Sequence, residues 1–296
     1  MRPSPALYAV LENAGVRRAG EGTVPELPEV ETVRRTLARR IAGEQIADVE
    51  IRFPGCVEGN DSEFFREKVI GRVITRVERR GKYLLLRLDD GSAVSVHLRM
   101  TGRLTAERNR PPAKDKYLRA EFVFASGLSL RFHDVRKFGR IGWHAGEEEL
   151  SARIAVGPDP TGSEFSASDL LRIASGRKRP IKSLLLDQRL IGGLGNIYAD
   201  ESLFRAGIAP DRPAGSLSSG EIEALHAAVR DVLAEGIRYK GTTLRDYVDG
   251  DGRAGNFQER LKVYGREGKP CTKCETPIVR IKLAGRSAFY CPGCQK

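Results

Sequence analysis

The pair Pro25-Glu26 stands just ahead of a helical pattern and gives the chain its clearest capacity for covalent chemistry. A proline at a free amino terminus is a secondary amine with a pKa of roughly 7.7 to 8.0, so at neutral pH it can attack a sugar aldehyde carbon as a nucleophile. Within a chain the same proline nitrogen belongs to an amide and is inert. Any such role for Pro25 therefore requires that its nitrogen be the amino terminus.

Four cysteines near the carboxyl end have the spacing of metal ligands. They form two Cys-X-X-Cys pairs separated by 16 residues, Cys271 with Cys274 and Cys291 with Cys294. This spacing predicts one structural Zn²⁺ held by four thiolates, and the alternative of disulfides is disfavoured in a chain without a signal peptide. A closed four-thiolate site leaves no position for water, so metal catalysis is not expected.

Two short β-rich runs lie between the cysteine pairs, at residues 278–283 and 287–290. They predict a hairpin that zinc would hold rigid, with Arg286 presented at its tip. The remaining cysteine, Cys56, is interpreted as a free thiol without a function.

A glycine-rich turn, residues 192–195, runs into Asn196 and a helical pattern. Glycines let a backbone approach a partner closely, and the amino end of a helix favours anions, so a phosphate could dock there with the Asn196 amide. A plain helix-to-helix turn is the alternative. Upstream, Lys178 and Lys182 would supply further phosphate partners, although a run of charge is more often a solvated face.

Three residues in loops that follow strands could act on a duplex: Met100, Arg136 and Phe138. An apolar side chain and an arginine beside a phenylalanine can wedge into DNA and fill the gap left by a flipped base. Taken singly, Met100 and Phe138 would more often be core residues. Lys82 opens a predicted strand, where an ordinary surface lysine is the alternative.

The composition favours a polyanionic partner. The chain has 296 residues, with 50 Lys and Arg against 39 Asp and Glu and a formal charge of +11. Residues 253–296 alone contain ten Lys or Arg against three Glu. No stretch of 18 uninterrupted apolar residues predicts a membrane span, and residues 1–24 lack an apolar signal-peptide core, so a cytoplasmic protein is expected.

The pattern of elements predicts an α+β protein. Val30, Val33, Leu37 and Ile41 recur at helical spacing after Pro28, and residues 46–144 alternate as strands. An antiparallel β-sandwich packed with the first helix should therefore precede a linker at residues 157–160, and the turn pairs Asp90-Gly91 and Ser126-Gly127 predict two hairpins within the sandwich. Four helices are predicted next, at residues 168–174, 181–190, 197–206 and 219–237, before the cysteine module, and Ser218 with Glu221 makes a capping-box signature for the last of them.

In this combination and order, the motifs from Pro25 to Lys296 resemble the formamidopyrimidine-DNA glycosylase family, whose mature chains begin Pro-Glu-Leu-Pro-Glu-Val-Glu. The resemblance implies a β-sandwich with an amino-terminal helix, a helix-two-turn-helix domain and a zinc-bearing hairpin. The expected division is an extension at 1–24, a catalytic domain at 25–156, a DNA-binding domain at 157–262 and a zinc finger at 263–296.

The resemblance also implies roles for single residues. Pro25 would attack C1′ of the flipped nucleotide, Glu26 would protonate the sugar ring oxygen, and Lys82 would assist both glycosylase and β-elimination steps. Arg286 would serve δ-elimination. The remaining positions comprise an inserted set, a phosphate-binding set and a lesion pocket: Met100, Arg136 and Phe138; Lys178, Lys182 and Asn196; Glu29, Thr242 and Thr243.

The activity implied is excision of oxidised purines, 8-oxoguanine and formamidopyrimidines, from double-stranded DNA, followed by β,δ-elimination at the abasic site. The enzyme would be a monomer near the nucleoid. Endonuclease VIII, a sister enzyme for oxidised pyrimidines, typically has Gly where this chain has Leu27. A damaged-DNA-binding protein without catalysis is the alternative if the extension is retained, and a zinc-ribbon transcription factor would need neither Pro25 nor Lys82.

The extension bears directly on the nucleophile. Val24 occupies the position of the relatives' initiator Met, and valine is what a GTG start codon becomes when it is translated internally. We expect the native protein to begin at Val24, read as Met and trimmed to expose Pro25.

Overall fold

The structure is a computed structural model that describes residues 24–108 and 115–296. Almost all of the predicted extension, residues 1–23, lies outside the described residues. Within the described ranges the fold is the predicted α+β arrangement of a β-sandwich with an amino-terminal helix, a helical region and a cysteine-bearing hairpin. The domain boundaries stay predictions.

Helix α1, Leu27–Ile41, opens the described chain. Pro28 suits its first turn because that position needs no backbone donor, and a capping box joins Glu26 to Glu29. The apolar face of the helix includes Val33 and Leu37, which are fully buried. This face packs onto the β-sandwich, which fixes the start of the helix relative to the sheets.

The sandwich consists of two four-stranded antiparallel sheets. One sheet has the order β1-β6-β7-β5, and the other has the order β2-β3-β4-β8. Their strands are β1 Ile46–Ile51, β2 Ile74–Arg80, β3 Tyr83–Leu88, β4 Ala93–His97, β5 Gly102–Glu107, β6 Leu118–Phe124, β7 Ser129–Asp134 and β8 Arg140–His144. The predicted hairpins at Asp90-Gly91 and Ser126-Gly127 are confirmed by the pairing of β3 with β4 and of β6 with β7.

Two helices flank the sandwich that the sequence pattern did not predict: α2, Ser62–Val69, and α3, Glu147–Arg153. Helix α2 begins where the Asp61 side chain accepts a hydrogen bond from the Phe64 amide, 2.9 Å away. The helix is too short for its hydrophobic periodicity to stand out from the surrounding strands, and only Phe65 and Val69 are buried.

The helical region has its own core and contains α4 Ala167–Ala174, α5 Ile181–Leu185, α6 Asn196–Ala206 and α7 Ser219–Arg238. The predicted helix at 181–190 was too long. The chain turns at Asp187, whose backbone carbonyl accepts bonds from both Leu190 and Ile191. The predicted capping box at Ser218 and Glu221 begins α7.

The chain ends in the two-stranded hairpin of β9, Val279–Leu283, and β10, Arg286–Tyr290. Strand β10 contacts α6, so the hairpin is held against the helical region. No helix within the described ranges has both the length and the apolar character that crossing a membrane requires.

Candidate active site

Pro25 lies buried at the tip of α1, where the sandwich meets the helical region. It lines a narrow crevice together with Met100 and Gly102 of the sandwich. The opposite wall comes from the segment that follows α7, residues 244–247. The crevice therefore joins the predicted nucleophile, one predicted inserted residue and the chain next to the predicted lesion pocket.

The carboxylate of Glu26 lies at the amino end of α6. Its Oε1 accepts a hydrogen bond from the Ile197 amide at 2.9 Å, and its Oε2 accepts one from Tyr198 at 3.3 Å. Burial raises the pKa of Glu26, while the charge of Lys82 and the backbone donors oppose that shift. A carboxyl group that is buried and held in this way is suited to keep and deliver a proton.

The backbone amides of Ile197 and Tyr198 at the start of α6 are not free for a phosphate, so the predicted phosphate contact is left to Asn196. The Glu26 carboxylate already occupies them, and it satisfies the same positive helix end that would attract a phosphate. The glycine before the helix serves this contact, because a Cβ on Gly195 would lie 2.2 Å from Glu26 Cδ.

Glu29 is buried in the turn after Glu26 and accepts three hydrogen bonds. The donors are the Glu26 amide at 2.9 Å, the Tyr198 hydroxyl at 2.6 Å and the Thr242 amide at 2.6 Å. Burial, together with the nearby Glu26 charge, raises the pKa of Glu29 to about 7. The predicted lesion-pocket residues Glu29 and Thr242 are thus in direct contact, and both are buried.

Thr243 is half-buried and fixes the loop that follows. Its hydroxyl donates to the Tyr247 carbonyl at 3.1 Å and accepts from the Gly255 amide at 2.9 Å. The segment from Thr242 to Gly255 is therefore folded back on itself beside Pro25.

Lys82 lies in the turn between β2 and β3 rather than at the start of a strand. It is half-buried, and its pKa is lowered by burial, while the Glu26 charge raises it. The turn lies against the glycine-rich turn before α6, because a Cβ on Gly81 would lie 3.5 Å from the Gly193 nitrogen. A lysine whose pKa is lowered supplies more neutral amine near neutral pH, which suits proton transfer.

Arg79 positions the turn that carries Lys82. Its guanidinium donates to the Gly81 carbonyl at 3.2 Å and to Glu31 of α1 at 3.2 Å, and it also pairs with Asp159 of the linker. With only 7% of its side chain exposed, Arg79 ties the helix, the hairpin and the linker together.

Met100, Arg136 and Phe138 come together on the surface of the sandwich. The Arg136 guanidinium lies 4.8 Å from the centre of the Phe138 ring, and its Nη1 lies 3.1 Å from Met100 Sδ. Phe138 is 47% exposed, which is unusual for a large apolar side chain and excludes the alternative of a core residue.

Lys182 is not a surface residue, and the predicted phosphate contact is wrong for this residue. Its side chain is 1% exposed, and its Nζ lies 2.6 Å from Asp200 Oδ1 and 2.6 Å from the Ser287 carbonyl. Burial lowers the pKa of Lys182, while the Asp200 carboxylate opposes that shift. Asp200 also accepts the Phe289 amide at 3.0 Å, so the pair fastens β10 to α6.

Arg286 stands at the start of β10, next to this fastening point, and its side chain is exposed. Its charge contributes to lowering the pKa of both Lys82 and Lys182. Glu201 adds a second anchor, because its buried carboxylate accepts the amides of three consecutive residues, 262–264.

The two remaining predicted phosphate contacts differ in exposure. Lys178 is exposed after α4. Asn196 is half-buried at the start of α6, and its Oδ1 has no hydrogen-bond partner among the described residues.

The four terminal cysteines are brought together. Their Sγ atoms all lie within 4.8 Å of one another, with separations of 3.8 Å for Cys271–Cys294, 3.4 Å for Cys274–Cys291 and 3.3 Å for Cys274–Cys294. Tetrahedral Zn–S bonds of about 2.3 Å place sulfurs about 3.8 Å apart, so the four thiolates fit one zinc ion. None of these cysteines forms a disulfide, and Cys56 is a buried free thiol.

Several residues of the site were missed by sequence reasoning: Arg79, Asp134, Tyr198, Asp200 and Glu201. Each acts through a partner that is distant in sequence. A buried charge has no local signature, although Tyr198, Asp200 and Glu201 follow the glycine-rich turn and Asp134 precedes Arg136 by two residues.

Sequence profiles of three families match the chain. They are the formamidopyrimidine-DNA glycosylase N-terminal domain at residues 24–141, the formamidopyrimidine-DNA glycosylase H2TH domain at residues 156–248, and the zinc finger found in FPG and IleRS at residues 268–296.

Individual relatives agree with the profiles. A formamidopyrimidine-DNA glycosylase of Desulfitobacterium hafniense is 48% identical over 276 residues, covering 92% of this chain and 100% of the relative. A Lactococcus lactis glycosylase crystallised with Fapy-dG-containing DNA has a TM-score of 0.84 at 35% identity, covering 92% of this chain and 100% of that chain. The Lactococcus lactis protein crystallised with DNA that contains an abasic site has a TM-score of 0.85 at 35% identity, covering 92% of this chain and 99% of that chain.

Proposed function

Because the chain belongs to the formamidopyrimidine-DNA glycosylase family, we propose how its own residues carry out base excision repair. The protein is a glycosylase and abasic-site lyase that acts on oxidised purines and abasic sites in DNA. Its four cysteines form a structural zinc site, and zinc supplies folding energy there rather than bond breaking. We propose that it works in the cytoplasm, at the nucleoid.

The nucleophile is the Pro25 nitrogen, freed as the amino terminus. Its lone pair attacks C1′ of the damaged nucleotide while the bond from C1′ to the base breaks and the sugar ring opens at O4′. The Pro25 nitrogen loses its proton and O4′ takes one up as the C1′–O4′ bond breaks, which leaves an iminium ion between Pro25 and C1′ of the opened sugar. A tertiary amide has no available lone pair for this attack, so the bond from Val24 to Pro25 must be absent in the active enzyme.

Glu26 donates the proton to O4′, because its buried carboxyl is held beside Pro25 and its pKa is raised. Lys82 transfers protons in excision and in β-elimination, in which C2′ loses a proton and the C3′–O bond breaks. Arg286, whose charge acts on Lys82, assists δ-elimination, in which the C5′–O bond breaks.

DNA is held by exposed groups. Met100, Arg136 and Phe138 enter the duplex where the damaged nucleotide has left, and Arg136 faces the orphaned cytosine. The exposed Lys178 ammonium and the side-chain Nδ2 of the half-buried Asn196 contact phosphates. Glu29, Thr242 and Thr243 shape the lesion pocket from behind Pro25.

The observation that carries this assignment is that four separate parts of the chain meet next to Pro25. Glu26, which follows Pro25 at the tip of α1, bonds to the amino end of α6, and the charges of Glu26 and of Arg286 at the hairpin tip both act on Lys82 in the turn between β2 and β3.

The test is excision by protein that begins at Pro25. A duplex with 8-oxoguanine opposite cytosine should be nicked with phosphates on both sides of a one-nucleotide gap, as β,δ-elimination requires. Glu26→Gln should reduce excision about a hundredfold or more, the usual size of a general-acid contribution. A matched change of the exposed Glu223 to Gln should leave the rate unchanged. Preference for oxidised pyrimidines would instead favour the endonuclease VIII-like alternative.

A further inference from the structure

Asp134 lies at the end of β7, directly below the cluster of Met100, Arg136 and Phe138. Only 1% of its surface is exposed. A buried carboxylate is costly unless its oxygens are satisfied, so its partners indicate what it stabilises.

Both loops of the cluster bond to this one carboxylate. Oδ1 accepts from the Thr101 hydroxyl in one loop and from the Arg136 amide in the other, the latter at 3.1 Å. Oδ2 accepts from the Gly139 amide at 2.7 Å. The Thr101 hydroxyl in turn accepts from the Arg136 amide at 3.0 Å, which closes the network between the loops.

The backbone of Asp134 is fixed as well. Its amide donates to the Tyr117 carbonyl at 2.9 Å, and its carbonyl accepts from Arg119 Nε at 2.7 Å. The carboxylate is therefore a rigid point from which the loops are held. Space around it is full, because a Cβ on Gly139 would lie 2.3 Å from the Phe132 ring.

The bonds surround a strained turn. Lys137 has φ of 62°, in the left-handed region that non-glycine residues rarely adopt, and it lies between the two exposed residues Arg136 and Phe138. In the other loop Arg99, just before Met100, has φ of 54°. Strain of this kind persists only where surrounding contacts determine the backbone, and Asp134 supplies them on both sides of Lys137.

We propose that Asp134 is a positioning residue that joins the two loops and presents Met100, Arg136 and Phe138 to DNA as one unit. The inference rests on the insertion role proposed above. It makes Asp134 a determinant of opposite-base selectivity although it touches no DNA, since an arginine reads hydrogen-bonding groups only when it is held in register.

The first test is hydrogen exchange in the free protein with Asp134→Asn. The amide side chain has one acceptor oxygen, so residue 134 can accept either from the Thr101 hydroxyl and the Arg136 amide or from the Gly139 amide, but no longer from both loops' donors and Gly139 together. Exchange should become faster in residues 99–102 and in residues 135–139. The control is Asp90→Asn, which changes a carboxylate that caps the β3–β4 turn through Ser92, far from these loops. Unchanged exchange in either loop would overturn the proposal, and this readout does not depend on catalysis.

The second test compares excision of 8-oxoguanine opposite C and opposite A. Asp134→Asn should reduce the preference for C about tenfold, the cost of roughly one hydrogen bond, and Arg136→Ala should reduce it similarly. A merely structural loss would slow both pairs equally and leave the preference intact, which contradicts the proposal. Failure of the wild-type protein to excise either substrate would instead refute the proposed function. Thr101→Val, which removes one bond of the network, provides a milder variant if Asp134→Asn folds poorly.

Discussion

The backbone of Gly195 lies against the carboxylate of Glu26, with an added Cβ at residue 195 placed 2.2 Å from Glu26 Cδ. Gly195 has φ of −134°, where any residue can stand, so the need for glycine is steric. The close approach lets the Glu26 carboxyl group reach the amino end of α6. Because Glu26 directly follows Pro25, the same contact fixes the tip of α1 that carries Pro25.

Gly195→Ala should therefore displace Glu26 and lower excision strongly, with about 1–3 kcal/mol lost from the free energy of unfolding through overpacking. Chemical denaturation and single-turnover excision measure the two effects. Gly146→Ala is the matched control, because Gly146 is also extended and its Cβ would meet nothing within 4 Å. Full activity in Gly195→Ala would contradict this placement of Glu26.

Substitution by Met should affect stability at one of two neighbouring lysines, Lys182, and DNA binding at the other, Lys178. Lys182→Met leaves Asp200 buried without its partner, so it should cost about 3–5 kcal/mol of unfolding free energy. Lys178→Met removes an exposed charge, so stability should stay within about 0.5 kcal/mol while the salt dependence of DNA binding weakens by about one charge. The reverse pattern in denaturation and salt titration would refute both assignments.

The raised pKa of Glu29 predicts a pH dependence of stability. The folded protein holds this proton up to about pH 7, whereas the unfolded chain releases it near the ordinary glutamate pKa of 4.5. The contribution of this proton to the free energy of unfolding is complete below pH 4.5 and is lost as the pH rises through about 7. The difference in unfolding free energy between wild type and Glu29→Gln should shrink across this window. A difference that stays constant with pH would contradict the raised pKa of Glu29. Glu223→Gln, which changes an exposed carboxylate, is the control and should show no such pH dependence.

Cys291→Ser should abolish binding of the single zinc ion and most of the affinity for duplex DNA, because metal binding in such modules is coupled to their folding. The sandwich has a separate core, so its unfolding transition should remain. Cys56→Ala, which alters a thiol in that core, should keep one zinc per chain in metal analysis. Full lesion binding by the metal-free Cys291→Ser protein would be inconsistent with this role.

The sequence was sufficient for the fold and for the clusters whose signal is local. The cysteine spacing predicted the zinc site, and the two hairpin turns predicted strand pairing. Both signals depend on residues that lie close together in sequence. Met100, Arg136 and Phe138 were grouped because each lies in a loop that follows a strand, and the structure brings them together.

Contacts between segments that are distant in sequence could not be predicted from such local patterns. Lys182 was interpreted as part of a basic run, because none of its neighbours in sequence indicates that Asp200 and Ser287 enclose it. The amino end of α6 looked free for a phosphate, because Glu26 reaches it from 171 residues away in sequence. Asp134 gave no signal, since its role depends on two loops that meet only after the strands have paired.

The central claim is that the Pro25 nitrogen forms the covalent intermediate, and borohydride trapping on 8-oxoguanine duplex followed by peptide mapping tests it most directly. Protein that begins at Pro25 should give an adduct on Pro25, and Pro25→Gly should be impaired. The full 296-residue chain should bind abasic-site DNA and give no adduct at Pro25, because an amide cannot form the iminium ion. An adduct mapped to Pro25 in protein whose intact mass retains Met1 would contradict the account.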